Sequence, residues 1–365
     1  MKKVCLATLL ALATLPAQSA IIKDGSFYDY VAGLKNQAFT KNSGDYVAPT
    51  VTQRSDFSYL AKSLYDHNWS VAETQANNLG YDLIQFNNTT TNDVYWGVAE
   101  QLINGKQSKG WGSYFVNAAS TSNVTIEVTH PSNDTNTHRL GARVFERSDA
   151  NAFAMAGAHR SANGYQTANP TSLEFSIFQE VHQIFNGGYG DSTAWQLHGF
   201  GSSTGRKFPD GTDAVLSDGA GNVTNELATL DRFLEDIDDS KFGSSYVYNL
   251  LDKDDPLNIQ VNGIDQDGHD PFYRLKAFNN PQGQFSRDAG VNFVHIEASY
   301  NIRGSRTKRD TYFANAIVGA IKETSTGTAG YMDTQVNEIP EPSSALLFLA
   351  SLFILPLRKK ITKQG

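Results

Sequence analysis

Six side chains sit where a strand-borne catalytic or metal site would need them: His130 and Asp134, His159 and Arg160, His198, and Glu297. His130 follows the apolar run Ile126-Glu127-Val128-Thr129, and Asp134 comes four residues later. His159 and Arg160 close Ala154-Met155-Ala156-Gly157-Ala158, His198 follows Trp195-Gln196-Leu197, and Glu297 follows Phe293-Val294-His295-Ile296. These residue types suit zinc hydrolysis. A catalytic zinc takes about three His or carboxylate ligands and keeps a position for water. A separate carboxylate takes the water's proton during attack on an amide carbonyl, and a cation stabilises the oxyanion. In that scheme His130, Asp134 and His198 are the ligands, Glu297 is the base and Arg160 the cation. No His-x-x-x-His or Cys motif is present, so placement alone carries the metal assignment.

The elements that must position these groups alternate between strand and helix. Helices are predicted over Ser55–Tyr65 and Ser70–Leu79, the second with Ser70 and Glu73 spaced as a capping box. Tyr81–Phe86 reads as a strand, Asn92–Ile103 as a helix, Gly110–Val116 as a strand and Val124–Val128 as its neighbour. Then follow helix Thr137–Arg147, strand Ala152–Ala156, helix Leu173–Phe185, strand Thr193–Leu197, helix Asn225–Ile237, strands Ser245–Leu251 and Asn292–Ala298, and helix Thr311–Lys322. Such alternation argues for an α/β fold, a single three-layer domain with a mixed, largely parallel sheet. In an open sheet of that kind the C-terminal strand ends meet at one crevice, so residues scattered in sequence can converge there. Pro131 pushes His130 away from helical geometry and keeps it extended at the end of its strand.

The order of these parts resembles the zinc carboxypeptidase-like superfamily, within it the N-formylglutamate amidohydrolase and deacylase branch. The resemblance spans roughly residues 110–325. It implies a zinc-dependent amide or peptide hydrolase with His130 and His198 as ligands, Glu297 as base and Arg160 toward substrate. The family's His-x-x-Glu becomes His130-Pro131-Ser132-Asn133 here, with a carboxylate only at Asp134, so the third ligand departs from the pattern.

Structural readings stand beside these. His130 and His198 can be hydrogen-bonded core histidines, Glu297 can pair with Arg303 or Arg306, and His159 competes with Arg160 as either a buried structural residue or a site residue. His67, His138, His182 and His269 fit no strand-end pattern, and His295 points opposite to Ile296; all five read as structural or solvated. A rival metal site lies in the acidic stretch 252–270. Asp265-Gln266-Asp267-Gly268 has the core of a calcium loop, but Arg274 stands where the closing Glu belongs, leaving an irregular calcium site with Asp252, Asp254 or Asp255, or a solvated loop. Ser217-Asp218-Gly219 reads as a turn, not a nucleophile elbow.

The 365 residues, 40% hydrophobic and 19% charged, can bury an ordinary core. A net charge of -8 without a basic block in the body excludes nucleic acid as partner. Met1-Lys2-Lys3, the apolar run Val4–Leu15 and Pro16-Ala17-Gln18-Ser19-Ala20 form a secretory signal peptide over residues 1–20. The only Cys, Cys5, lies inside it, so the mature chain has no disulfide. Residues 21–50 are polar and rich in Gly, Asn and Thr, and read as a flexible arm before a hydrolase-like domain over 51–330. At the other end, Pro340-Glu341-Pro342, the apolar run Ala345–Leu357 and Arg358-Lys359-Lys360 resemble the PEP-CTERM sorting signal of Gram-negative bacteria, over residues 339–360. That resemblance implies transient inner-membrane anchoring, processing by an exosortase-type enzyme and release to the periplasm, outer surface or extracellular matrix. The alternative to an enzyme is a non-catalytic surface or matrix binding protein, including a degenerate enzyme fold.

Overall fold

Apolar and β-branched residues concentrate in Val124–Val128 (β5), Ala152–Met155 (β6), Thr193–Phe200 (β7) and Asn292–Ser299 (β9), and nearly every position in them is buried. Strands buried on both faces need helices on both faces, which is the situation of a parallel sheet. The computed structural model describes residues 20–187, 192–201, 213–237 and 272–326. There these four strands, in the order β6-β5-β7-β9, form the parallel centre of a nine-stranded sheet. Around them lie β1 (Ile21–Gly25), β2 (Tyr81–Asn88), β3 (Val94–Glu100), β4 (Ser113–Asn117) and β8 (Ala214–Ser217), giving β1-β2-β3-β4-β6-β5-β7-β9-β8. β3 and β4 run antiparallel to their neighbours, β8 runs antiparallel to β9, and β1 runs parallel to β2. The α/β expectation with a mixed sheet, parallel at its core, is the architecture observed.

Helices α1 (Phe27–Gln37), α4 (Thr137–Ser148), α6 (Asn225–Glu235) and α9 (Ala314–Thr326) cover one face. Helices α2 (Val51–Tyr65), α3 (Trp69–Asn78), α5 (Ile177–Asn186) and α7 (Pro281–Ala289) cover the other. A short helix, α8 (Tyr300–Gly304), follows β9 directly. On the first face Gly141 of α4 lets the helix close on the sheet: a Cβ there would meet Val128 Cγ2 at 2.5 Å.

Three local readings are corrected. Residues 21–50 are not a flexible arm. Ile21–Gly25 adds a strand to β2, and Phe27, fully buried at the start of α1, packs its ring against Phe86, Tyr95, Phe115, Phe145 and Phe153 with centroids 4.9–5.5 Å apart. The polar composition of 21–50 hid it because few residues carry the anchoring. Asn92–Ile103 is not a helix: Val94-Tyr95-Trp96 is β-branched and aromatic, and the segment returns antiparallel on β2 as β3. A Cβ on Gly97 would meet Phe115 Cδ1 at 2.1 Å, so that glycine admits a ring from β4. Val124–Val128 does not pair with β4, because β6 lies between them.

Smaller shifts follow from capping. Thr50 forms a capping box with Gln53, so α2 begins at Val51, and Asn68 rather than Ser70 caps α3 through Val71 N. The signal segment up to residue 19, the strand Ser245–Leu251, the calcium-type stretch 252–270 and the sorting segment 339–360 lie outside the described residues. Among the described residues, no helix is long and apolar enough to cross a membrane.

Candidate metal centre

Strand alternation puts a polar stripe on one face of the parallel strands. Glu127 of β5 is registered with Gln196 of β7, Gln196 with His295 of β9, and His198 with Glu297. Period 2 therefore turns Glu127, Gln196, His198, His295 and Glu297 to the side of α5 and α7, and Val128, Leu197 and Ile296 to the side of α4. His198 and Glu297 lie inside their strands, which end at Phe200 and Ser299, three residues beyond the expected Leu197 and one beyond the expected Ala298. Beyond β5 the chain turns tightly: Asn133 N and Asp134 N both donate to His130 O, at 3.0 and 2.8 Å. The Asp134 carboxylate is thereby folded back over the His130 ring. Asn136, left-handed at φ 64°, then starts α4.

The turn and the neighbouring strand bring three buried groups together. His130 Nδ1 lies 3.2 Å from Asp134 Oδ2, His198 Nδ1 lies 3.2 Å from His130 Nδ1, and His198 Nδ1 lies 3.5 Å from Asp134 Oδ2. Donors around a tetrahedral ion with bonds of about 2.1 Å stand about 3.4 Å apart. The three atoms thus form a triangle of the size a metal ion requires. Their other atoms are already engaged. His130 Nε2 faces Asn169 Oδ1 at 2.6 Å, and His198 Nε2 faces Gln196 Oε1 at 2.9 Å. Amide oxygens only accept, so both rings carry hydrogen on Nε2 and turn Nδ1 lone pairs inward. Asp134 Oδ2 also accepts from Gly199 N at 3.2 Å, and two inward lone pairs beside this carboxylate oxygen make a donor set that a shared cation would complete. His130, Asp134 and His198 could therefore hold a metal ion.

The electrostatics favour the ligand forms. Burial alone would raise the Asp134 carboxyl, but with a proton in the metal's place on the facing Nδ1 atoms the charge and hydrogen bonds of His130 and His198 hold it well below its ordinary value. Burial pushes His198 down to about 4, and drives His295 well below the usual histidine value, with His198 and His130 adding to it. At neutral pH both are neutral imidazoles, the form that binds metal.

These groups line a cavity of about 1070 Å³ together with Arg160, Asn169, Arg274, His295, Glu297 and Tyr300. Glu297 is 8% exposed and stands on the strand beside His198. Donor atoms of His198, His295 and Glu297 fall within 4.8 Å of one another. Arg160, half-buried in the loop after β6, reaches the cavity. His159 turns aside and accepts from Ser161 N through Nδ1 at 3.0 Å. Arg303 serves the frame: it donates to the carbonyls of Ala298, Phe200 and Thr135, tying β9, β7 and the turn that carries Asp134. Arg306 reaches Asp310 at 3.9 Å.

The structure thus brings His130, Asp134, His198, Glu297 and Arg160 to one cavity. Two contributors were missed by the sequence reading. His295 shares the site face, as its i, i+2 spacing to Glu297 indicates; its ring centroid is 4.6 Å from that of His198. Asn169, the partner of His130, lies in an irregular loop that carries no periodic signal.

No family model matches the chain, and no curated protein matches it. Among solved structures it is similar to a bacteriophage poly-gamma-glutamate hydrolase, at 14% identity and a TM-score of 0.37, over 61% of this chain and 92% of that one. It is also similar to a candidate carboxypeptidase A from Shewanella denitrificans OS-217, at 14% identity and a TM-score of 0.34, over 59% of this chain and 61% of that one. A gene product of Agrobacterium tumefaciens follows at 13% identity and 0.31, over 57% and 93%. At such scores the chemistry has to be argued from this chain's own residues.

Proposed function

We propose that the protein is an exported zinc-dependent hydrolase of an amide or peptide bond. The observation that carries this reading is the His130–Asp134–His198 triangle, with each Nε2 satisfied and each Nδ1 turned inward. These three residues would hold the ion, which when bound polarises the scissile carbonyl and acidifies the attacking water. Glu297, on the adjacent strand at the cavity wall, takes the proton of that water and returns it to the leaving nitrogen. Arg160 makes no ion pair among the described residues and orients the oxygen of the substrate's carbonyl or carboxylate. Zinc suits two imidazoles and one carboxylate, a donor set that leaves a position for water.

The test is metal analysis of purified protein together with hydrolysis of a panel of peptides and N-acyl amino acids. One zinc per chain, lost in His198→Ala, and amide cleavage abolished by a chelator are expected. Zinc without turnover on any amide would favour the binding-only alternative, and no zinc uptake at all would sink the reading. Export through the signal segment and exosortase-type trimming at Pro340-Glu341-Pro342 belong to the same proposal. They are checked by mass spectrometry of the termini of the secreted protein: intact termini on a cell-associated chain would refute them.

A further inference from the structure

Behind the three candidate ligands, on the same sheet face, runs a polar chain with no exposure at all. Glu127, His182, Gln196, Gln282 and Ser286 are each 0% exposed. Glu127 Oε1 accepts from His182 Nδ1 at 2.6 Å, and His182 Nε2 lies 3.2 Å from Ser286 Oγ. The sequence Ser–His–Glu has the connectivity of a hydrolytic triad, but none of the three lines the cavity. No substrate reaches Ser286, so a nucleophile role is excluded.

The chain leads instead to the metal position. Gln196 Nε2 donates to Glu127 Oε2 at 2.9 Å, which turns Gln196 Oε1 the other way, toward His198 Nε2 at 2.9 Å. A second anchor acts from the opposite side. Asn280 caps α7, its Oδ1 accepting from Gln282 N at 2.9 Å and Gly283 N at 3.4 Å. With its oxygen committed to the cap, Asn280 can present only Nδ2, which donates to the same Gln196 Oε1 at 2.5 Å. Thr129 Oγ1, 3.0 Å from His198 Nε2 and 3.3 Å from its Nδ1, can donate or accept at either nitrogen and so chooses no tautomer. An acceptor fixed at Glu127 and a donor fixed at Asn280 thus leave the Gln196 amide one orientation. That orientation leaves the His198 ring one tautomer.

We infer that Glu127, Gln196 and Asn280 are positioning residues that lock His198 with hydrogen on Nε2 and its Nδ1 lone pair turned to the metal position. The inference rests on the metal reading above. Partners one step removed from a ligand set its tautomer and basicity, and losing them costs roughly 10–100-fold in metal affinity.

The experiment uses the full chain labelled with ¹⁵N-histidine. Long-range proton–nitrogen NMR reads the His198 tautomer, and chelator competition reads zinc affinity. Gln196→Met removes the acceptor and keeps the volume; it should populate the Nδ1–H form and weaken zinc about tenfold or more. The double variant Glu127→Gln/Gln196→Glu exchanges the two ends of the bond and keeps an acceptor at His198. It should retain the Nε2–H form and the wild-type affinity within about threefold. An unchanged tautomer and affinity in Gln196→Met would overturn the lock. If that variant does not fold, the double variant decides: loss of the Nε2–H form there overturns it. A wild-type protein with the Nε2–H form that takes up no zinc refutes the metal reading alone, and the tautomer shift in Gln196→Met then still supports the lock.

Discussion

Gly199→Ala tests how the frame holds the candidate site, because two opposing effects predict opposite signs. Gly199 sits inside β7 with φ outside the left-handed region, so alanine fits the backbone. On backbone entropy alone the substitution would stabilise by about 0.5–1 kcal/mol. The space tells the opposite: a Cβ there would lie 2.1 Å from Arg303 Nε and 2.2 Å from its Cζ. The guanidinium is 3% exposed and bonded to three carbonyls, so it cannot swing into water without abandoning them. Losing two such charge-assisted bonds at about 1.5–3 kcal/mol each outweighs the entropic gain and puts the destabilisation near 3–5 kcal/mol. One lost bond is to Thr135 O, next to Asp134, so the carboxylate loosens too. Urea unfolding of the metal-free protein measures the first effect and zinc competition the second, expected at about tenfold. A variant as stable as wild type or more so, with unchanged zinc affinity, would refute the view that Arg303 fixes this corner.

Glu297→Gln should keep zinc and lose turnover by about 10²–10⁴-fold if Glu297 moves the proton; equal loss of zinc would make it a ligand instead. Phe27→Ala should destabilise by about 3–5 kcal/mol in urea, since it empties the junction of five rings, whereas a flexible arm would tolerate it within about 0.5 kcal/mol. His138, in α4, is 6% exposed and is pushed down to about 3, first by burial and then by Arg139, Lys35 and Arg309. The unfolded chain takes up this proton near pH 6.5 and the folded chain only near 3. The neutral ring therefore costs nothing above about pH 6.5, and stability falls as pH drops toward 3, by up to about 5 kcal/mol. His138→Leu should flatten the fall in stability over that window; an identical pH slope in the variant would contradict the assignment.

The parallel centre of the sheet was legible because runs such as Val124–Val128 and Thr193–Leu197 are apolar, short and separated by helical patterns. The convergence of His130, His198 and Glu297 followed from it, since strand ends in such a sheet share one edge. What escaped reading was set by tertiary contact. In residues 94–100 the β-branched and aromatic run Val94-Tyr95-Trp96 favours a strand, but Asn92-Asp93 ahead of it mimics a helix cap, and pairing with β2 and the ring of Phe115 against Gly97 settle the strand. Residues 21–50 anchor through a few buried side chains, Phe27, Tyr28, Val31, Leu34 and Phe39, that composition averages away. Asp134 was legible by type and spacing, but its position depends on the turn at 130–134, and Asn169 comes from a loop whose path no periodicity encodes.

His295 shows how a sequence argument can be right in geometry and wrong in consequence. It does point opposite to Ile296, yet that is the polar face, shared with Glu297, His198 and Gln196. The two faces of the same strands are built differently: Val128, Leu197 and Ile296 pack on α4 and its neighbours, while the other face buries two carboxylates, three imidazoles and several amides. Burying such groups is costly unless each finds a partner, and replacing a satisfied polar cluster by packed apolar residues is often neutral or stabilising. Folding alone therefore gives no reason to keep this stripe in the middle of the sheet. Its continuity from Ser286 through Glu127 and Gln196 to His198 supplies one, because the cost goes into the orientation of a single ring nitrogen at the cavity. Stability and metal affinity should accordingly diverge along the chain. Replacing His182, Glu127 and Ser286 together by Leu, Met and Ala should leave the metal-free fold about as stable as wild type in urea, since Gln196 Nε2 keeps Gln282 Oε1 and Asn186 Nδ2 keeps the carbonyl of residue 182, while zinc binding weakens about tenfold or more. Parallel losses of both would return the stripe to a purely structural role.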